Sequence, residues 1–415
     1  MSYDSQLNPA ADPRANYDYR GGSDHRPDLK TALDARVEGD VRFDTYTREL
    51  FATDASAYEQ RPIGVVSPVS VEDVVAVVEY CADHEIPVLP RGGGTSLAGQ
   101  AVNEAVVLDL KRHMDDVVST DPAARRATAQ AGITIARLND HLEPNGLKFA
   151  PDPAWGDKSV LGGAIGNNTT GAHSLKYGKT DAYIEECEAV LADGTRTTFG
   201  WVSVDEIERR ASEVDEDSDI EDRIHAAVAR ILAEDAEEID DRYPDLKRNV
   251  SGYNLDELVD NARERGEVNL ARLLAGSEGT LAIVTEATVS LEPVPNSTAV
   301  VMLTYDDILA AMADVAPILE HDPAAVEVMD DTLLTLAADT PEFADVVSLL
   351  PEDTDSTLLV EFYADSPADG EEKIADLLAD RLPDYDARAS PDDGAGATTD
   401  APVNAVDALE AYDPD

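Results

Sequence analysis

The chain has 415 residues, of which 86 are acidic and 32 are Lys or Arg, giving a formal charge of −54. That length holds two or three domains with cores of their own. That charge repels nucleic acid and anionic lipid, so a partner of either kind is excluded.

The acids are spread along the chain. Between Asp205 and Asp241, sixteen of them accompany four arginines, the pattern of a strongly hydrated surface suited to high salt, where ions screen the repulsion. The two cysteines, Cys81 and Cys187, sit in apolar stretches and suggest neither a disulfide framework nor a thiolate metal site. The opening MSYDSQLNPAADPRANYDYR has no basic start followed by an apolar run, and no stretch reaches the roughly eighteen apolar residues of a membrane span. A cytoplasmic chain without an integral membrane segment is expected, with peripheral attachment through a partner left open.

Residues 1 to about 27 are polar and carry few aliphatics, so they read as a loosely packed arm. Val71, Val74, Val75 and Val78 recur at helical spacing behind a capping Ser70. Ile86–Leu89 and Ala105–Leu110 read as buried strands on either side of a glycine loop. Ala127–Ala131 and Glu188–Leu191 read as strands and Ile133–Leu142 as a short helix. Asp193-Gly194 marks a hairpin. Residues 205–241 form an acidic helical insertion with Ile220, Ile224, Val228, Ile231 and Leu232 on one stripe. Leu281–Leu291 alternates as a strand, and Glu292-Pro-Val-Pro295 closes the unit. Beyond Asn296 a strand (Ala299–Thr304), a helix (Ile308–Leu319) and a strand (Leu358–Tyr363) make an incomplete α+β sandwich. The tail from Ser390 is rich in Asp, Ala, Gly and Pro.

Three segments carry chemistry. The first is Arg91 with Gly92, Gly93, Gly94, Thr95, Ser96, Gly99 and Gln100. Its glycines let backbone N–H groups turn toward a phosphate, Thr95, Ser96 and Gln100 add donors, and Arg91 is the one cation at hand. It matches neither a Walker A loop nor a Rossmann fingerprint, and a tight turn serving only packing explains it as well. The second runs from Pro151 and Asp152 through Ser159, Gly162, Gly163, Gly166, Asn167, Asn168 and Gly171 to His173, Tyr177 and Gly178. Its small residues admit a flat ring or a phosphate, and its amides supply donors and acceptors. The third, Ala275–Thr285, holds Glu278 and Gly279 at the entry to a strand containing Ile283.

In this order and spacing the three segments resemble the FAD-binding domain of the PCMH type, within the vanillyl-alcohol oxidase superfamily, in its glycolate oxidase and D-lactate dehydrogenase branch. The resemblance covers about residues 52–295. It implies an α+β chain in three parts: an arm and leading helix over residues 1–50, a two-lobed FAD-binding domain over 51–295 with the acidic insertion at about 203–245, and an incomplete ferredoxin-like cap over 296–415. It implies that residues 91–100 hold the FAD pyrophosphate, that Pro151–Gly178 line the pyrophosphate and isoalloxazine, and that Glu278, Gly279 and Ile283 lie against the adenosine or the flavin edge. Since residues 91–100 contain no histidine, the cofactor is expected to be bound non-covalently.

Arg248, Tyr253 and Asn254 lie in a segment similar to that of large D-lactate and D-2-hydroxyglutarate dehydrogenases, and are the candidates for the substrate side, with ordinary loop hydrogen bonding as the alternative. The implied activity is oxidation of a small D-2-hydroxy acid, with electrons passing to an acceptor or an iron–sulfur subunit or domain. The family's His-x-His-like metal site and Trp-x-x-Arg-like segment do not occur, so no metal site and no catalytic base is assigned. The chain therefore reads as the flavin portion of a longer enzyme, or as a flavin-binding subunit needing a partner. A sugar or alditol oxidase on the same scaffold is the runner-up.

Overall fold

Four short strands begin the fold, and their order in space is not their order in sequence. The computed structural model describes residues 24–246, 248–351, 353–382 and 404–411. The first sheet runs Asp40–Arg42, Gly64–Ser67, Val106–Asp109 and Val88–Arg91, with the last three parallel. The helix Val71–Asp83 crosses between two of them, and the Ser70 hydroxyl accepts the Asp73 N–H at its start. Its buried face is Val74, Val77, Val78 and Cys81, while Val71 and Val75 pack at its margin. The stripe is thus rotated slightly from the one the valine spacing alone suggests. Pro90 is tolerated because Val88–Arg91 is an edge strand. The helix Pro27–Asp34 adds Leu29 and Leu33 to this core. Most of the arm expected before it, residues 1–23, lies outside the described residues.

The second lobe is built on five antiparallel strands in the order Val117–Asp121, Arg126–Gln130, Ile283–Ser290, Ile184–Val190 and Arg196–Phe199. The hairpin between the last two turns at Asp193-Gly194, where Gly194 has φ 89°. Ile283–Ser290 alternates buried and half-buried side chains along its whole length, as one face of a packed sheet requires. The acidic insertion is helical but interrupted. Val204–Glu213 ends before a turn, and Asp219 caps a new helix, Ile220–Arg230, that runs on through a π-helical turn. Val228 is buried, and Ile220, Ile224, Ile231 and Leu232 pack against the second-lobe core, so the charged face is the one left in solvent.

The third part adds elements to the strand–helix–strand order read from the sequence. Ser297–Tyr305, Ile308–Leu319, Ala325–Met329, Ser356–Ala364, Pro367–Arg381 and Asp407–Ala411 make a βαββαβ order, with two short helices, Asp331–Ala338 and Ala344–Val347, inserted between the second and third strands. The first and last strands pair, which gives a four-stranded antiparallel sheet. The strand Asp407–Ala411 was missed because it lies in an Asp- and Ala-rich tail with little β-branched character. Val301, Leu303, Leu358, Val360 and Phe362 face the two long helices. Beneath them Arg381 and Asp314 form a fully buried ion pair at 3.1 Å, and the Tyr305 hydroxyl donates to the same carboxylate at 3.0 Å. Most of the tail from Ser390 lies outside the described residues.

Candidate cofactor site between the two lobes

Between the lobes lies a cavity of about 1000 Å³ lined by all three glycine-bearing segments, at the upper end of what cofactor pockets occupy. The first segment turns back on its strand because Arg91 is folded beneath it. The buried guanidinium donates to the carbonyls of Phe51 (3.1 Å), Ala101 (2.8 Å) and Thr53 (2.7 Å). This corrects the expectation of a phosphate clamp: Arg91 borders the cavity, but its donors are spent on the backbone, and burial pulls its pKa down. The loop offers its own amides instead. Among the described residues the N–H groups of Gly93, Gly94 and Thr95 donate to no protein acceptor, and successive free amides of this kind form an anion-binding concavity.

The second segment is pressed against the first. The Thr95 and Ser159 hydroxyls meet at 3.2 Å, and a Cβ on Gly93 would collide with the carbonyl of Lys158. The short helix Leu161–Gly166 stands on the second-lobe sheet: the Gly162 N–H donates to the Ala131 carbonyl, and a Cβ at Gly162 would lie 2.8 Å from that of Ala131. Gly163 and Gly166 are different. A Cβ at Gly163 would meet only the Val160 side chain, and one at Gly166 only the backbone of Glu278 at 3.8 Å, so both leave room in the cavity they line.

The third segment closes the cavity at Glu278. Its N–H donates to the Gly166 carbonyl at 2.9 Å, its φ is 53°, and its carboxylate accepts the Gln100 amide at 3.2 Å. The other amide atom, Gln100 Oε1, is buried without a partner, which suits an acceptor awaiting a ligand donor. A Cβ at Gly279 would meet Pro90 at 2.6 Å, so this glycine lets the third segment seat on the first.

Of the residues expected at the cofactor, Arg91, Gly92, Gly93, Gly94, Thr95, Ser96, Gln100, Ser159, Gly162, Gly163, Gly166, Asn167, Glu278 and Gly279 line the cavity. The others serve elsewhere. Gly99, at φ 85°, is a turn packed on the Tyr58 ring. Pro151 is buried and Asp152 faces His173 at 3.7 Å. Asn168 is bonded to Asp181, and Gly171 is pressed on the carbonyl of Asp152. Tyr177 packs with Tyr363, and Gly178 ends a turn at φ 76°. Ile283 joins the first-lobe core, because strand alternation turns its neighbours Ala282 and Val284 to the cavity instead. On the substrate side, Arg248 donates to the Ser174 hydroxyl at 2.6 Å, the Tyr253 hydroxyl meets that of Thr280 at 3.0 Å, and Asn254 is buried. None of the three lines the cavity, whereas Val250, Ser251 and Gly252 beside them do. Trp155, Thr169 and Thr170 of the second segment also line it, and nothing in their residue types marks them in the sequence.

Family models match in two places: residues 62–200 fit an FAD-binding domain, and residues 294–401 fit the C-terminal domain of FAD-linked oxidases. The two matches fall on either side of the domain boundary and agree with the PCMH-type resemblance carried by the glycine segments. The cofactor is FAD, and the cavity fits it: free loop amides for a pyrophosphate, glycines that leave space, and an unpaired buried amide oxygen.

The chain is 30% identical over 378 residues to the D-2-hydroxyglutarate dehydrogenase of Pseudomonas putida, covering 89% of this chain and 36% of that protein. It is 31% identical to the enzyme of the same name from Escherichia coli, covering 82% and 34%. With the glycolate oxidase subunit GlcD of Bacillus subtilis it shares 28% identity, over 93% of this chain and 70% of that one. The chain thus spans about a third of the length of the D-2-hydroxyglutarate dehydrogenases it matches. An alkyldihydroxyacetonephosphate synthase structure superposes with a TM-score of 0.59 at 18% identity, over 87% of this chain and 59% of that one, which concerns the fold alone. Among the described residues no helix is long and apolar enough to cross a membrane.

Proposed function

We propose that this chain is the FAD-bearing part of a dehydrogenase that oxidises a small D-2-hydroxy acid such as D-lactate, glycolate or D-2-hydroxyglutarate. The observation that carries the reading is the cavity itself, in which three glycine-bearing segments from two lobes converge. The names of the relatives narrow the substrate class. When bound, FAD supplies the hydride acceptor. The chain's own residues grip and shield. The Gly93, Gly94 and Thr95 amides would hold the pyrophosphate, Gln100 and Glu278 line the same cavity, and Leu110, Val160, Ala164 and Leu274 would exclude water. No His, Cys or Tyr lines the cavity among the described residues, which supports a dissociable flavin. The reading keeps the cytoplasmic location expected from the sequence.

A second reading has an observation of its own. Among the described residues, Arg91 and Glu278 are the charged side chains lining the cavity, and the donors of Arg91 are committed to carbonyls. A hydroxy acid needs a cation for its carboxylate and a base for its hydroxyl proton. In this reading both come from a partner polypeptide, such as an iron–sulfur or electron-accepting subunit, and the chain is a flavin-binding subunit; the Bacillus relative is likewise named as a subunit, of glycolate oxidase. Anaerobic mixing of the FAD-loaded chain with each of the three acids tests the choice. Bleaching of the flavin absorption supports catalysis by the chain alone. A flavin that is bound but unbleached by any of them favours the partner.

A further inference from the structure

The loop that lines the cavity from Pro153 to Thr170 has a neck. At that neck Gly171 sits against the carbonyl of Asp152, so tightly that no Cβ would fit, and His173 follows two residues later. The neck meets the C-terminal sandwich. His173 Nε2 lies 2.9 Å from Glu361 Oε2 in the strand Ser356–Ala364, and Asp152 lies 3.7 Å from His173 Nδ1. Glu361 and Tyr363 point off the sheet face opposite the helix-packed Val360 and Phe362. The Tyr363 ring packs at a tilt against His173 (centroids 5.4 Å apart) and Tyr177 (5.9 Å), and its hydroxyl accepts from Lys148 at 3.2 Å. The sandwich therefore grips the cofactor loop where its two ends come together. Neither end makes this contact through a residue that lines the cavity.

We propose that Glu361 is a positioning residue: by hydrogen-bonding His173 at the neck of the loop, it sets how tightly the cavity holds FAD, and so couples the sandwich to the cofactor. The inference rests on FAD binding and not on the identity of the substrate. A loop held in its binding conformation avoids the loss of affinity that a partly populated competent state incurs.

The charges around the ring fit this role. Asp152 and Glu361 push the His173 pKa up to about 9, although only Glu361 is at hydrogen-bond distance. Lys148 opposes them, Lys176 lies over the Tyr363 ring, Glu292 faces Lys148, and the strand Ala325–Met329 contributes the exposed Glu327. A histidine with a raised pKa gives its full contribution below its free value and loses it as pH rises through the folded one.

Titrating apoprotein with FAD and following flavin fluorescence tests the proposal. Glu361→Gln is expected to weaken FAD binding roughly threefold to tenfold near neutral pH, the effect of losing a half-buried charge-assisted bond. Glu361→Asp should recover part of the loss. Wild-type affinity should fall as pH rises through about 9, and the fall should move to lower pH in Glu361→Gln. His321→Gln is the control: it alters a sandwich hydrogen bond to Asp380 at 3.1 Å and should lower thermal stability without changing FAD affinity. If Glu361→Gln binds FAD with wild-type affinity and pH profile, or changes it no more than His321→Gln does, the proposal is overturned. A wild-type chain that binds no FAD would instead overturn the cofactor assignment.

Discussion

Asn168 and Asp181 hold each other by two hydrogen bonds: the Asn168 amide donates to the Asp181 carboxylate at 2.8 Å, and the Asp181 N–H donates back to Asn168 Oδ1 at 3.0 Å. Both are buried, and Asn168 has φ 46°, a conformation asparagine tolerates better than most residues. The pair ties the end of the cavity helix to the turn before the strand Ile184–Val190. Asn168→Ala leaves a buried carboxylate and N–H short of partners at a positive φ and is expected to cost about 3 kcal/mol. Urea denaturation of the apoprotein measures it. Asn168→Gly, which relieves only the backbone, should recover part of the loss.

Two glycines that look alike in sequence should behave differently. Gly93→Ala drives a methyl into the backbone carbonyl of Lys158, so the two loops must part, and both stability and FAD binding should fall. Gly163→Ala meets only a side chain at 3.5 Å and sits within the helix Leu161–Gly166, where alanine is favoured by up to about 1 kcal/mol. Its apoprotein should be at least as stable as wild type, with FAD affinity lowered at least about tenfold because the methyl occupies cofactor space. Paired melting curves and FAD titrations decide this.

Arg91 offers a direct contrast between two roles. As a staple for three carbonyls, it should be replaceable by neither Met nor Lys, since Lys lacks the planar fork, and Arg91→Lys should cost about 2 kcal/mol or more. Were Arg91 a phosphate clamp, the same change would spare the stability of the apoprotein and alter chiefly the salt dependence of FAD binding. Melting the apoprotein in dilute and concentrated salt separates the two.

Much of the site was legible because glycine is informative. The strand–loop–strand order around Gly92–Gly94 and the alternation of Ile283–Ser290 pointed to the correct elements, and Ser70 announced its helix. What stayed hidden was direction. The sequence shows that Arg91 is a cation beside a glycine loop but not that Phe51, Thr53 and Ala101 bring their carbonyls to it from behind. The resemblance puts Ile283 against the adenosine or the flavin edge, whereas the period of two turns Ala282 and Val284 to the cavity. The Glu361–His173 contact joins residues 188 positions apart, and no local pattern encodes it. Polarity points to Arg248, Tyr253 and Asn254, whereas Val250, Ser251 and Gly252 are what line the cavity.

The surface charge makes its own prediction. With 86 acids against 32 Lys and Arg, folding concentrates negative charge that the extended chain holds further apart, and ions screen that repulsion within a Debye length. The melting temperature should rise from dilute to molar potassium chloride. Flat or falling stability over that range would show that self-repulsion is not a significant load on this fold.

The central claim is that the cavity between the two lobes holds FAD, and equilibrium titration of the salt-stabilised apoprotein with FAD tests it most directly. Saturable binding at micromolar or tighter affinity, abolished in Gly93→Ala and weakened in Gly163→Ala, is the predicted result. A wild-type chain that is folded by circular dichroism yet neither quenches flavin fluorescence nor retains FAD on gel filtration would contradict the account.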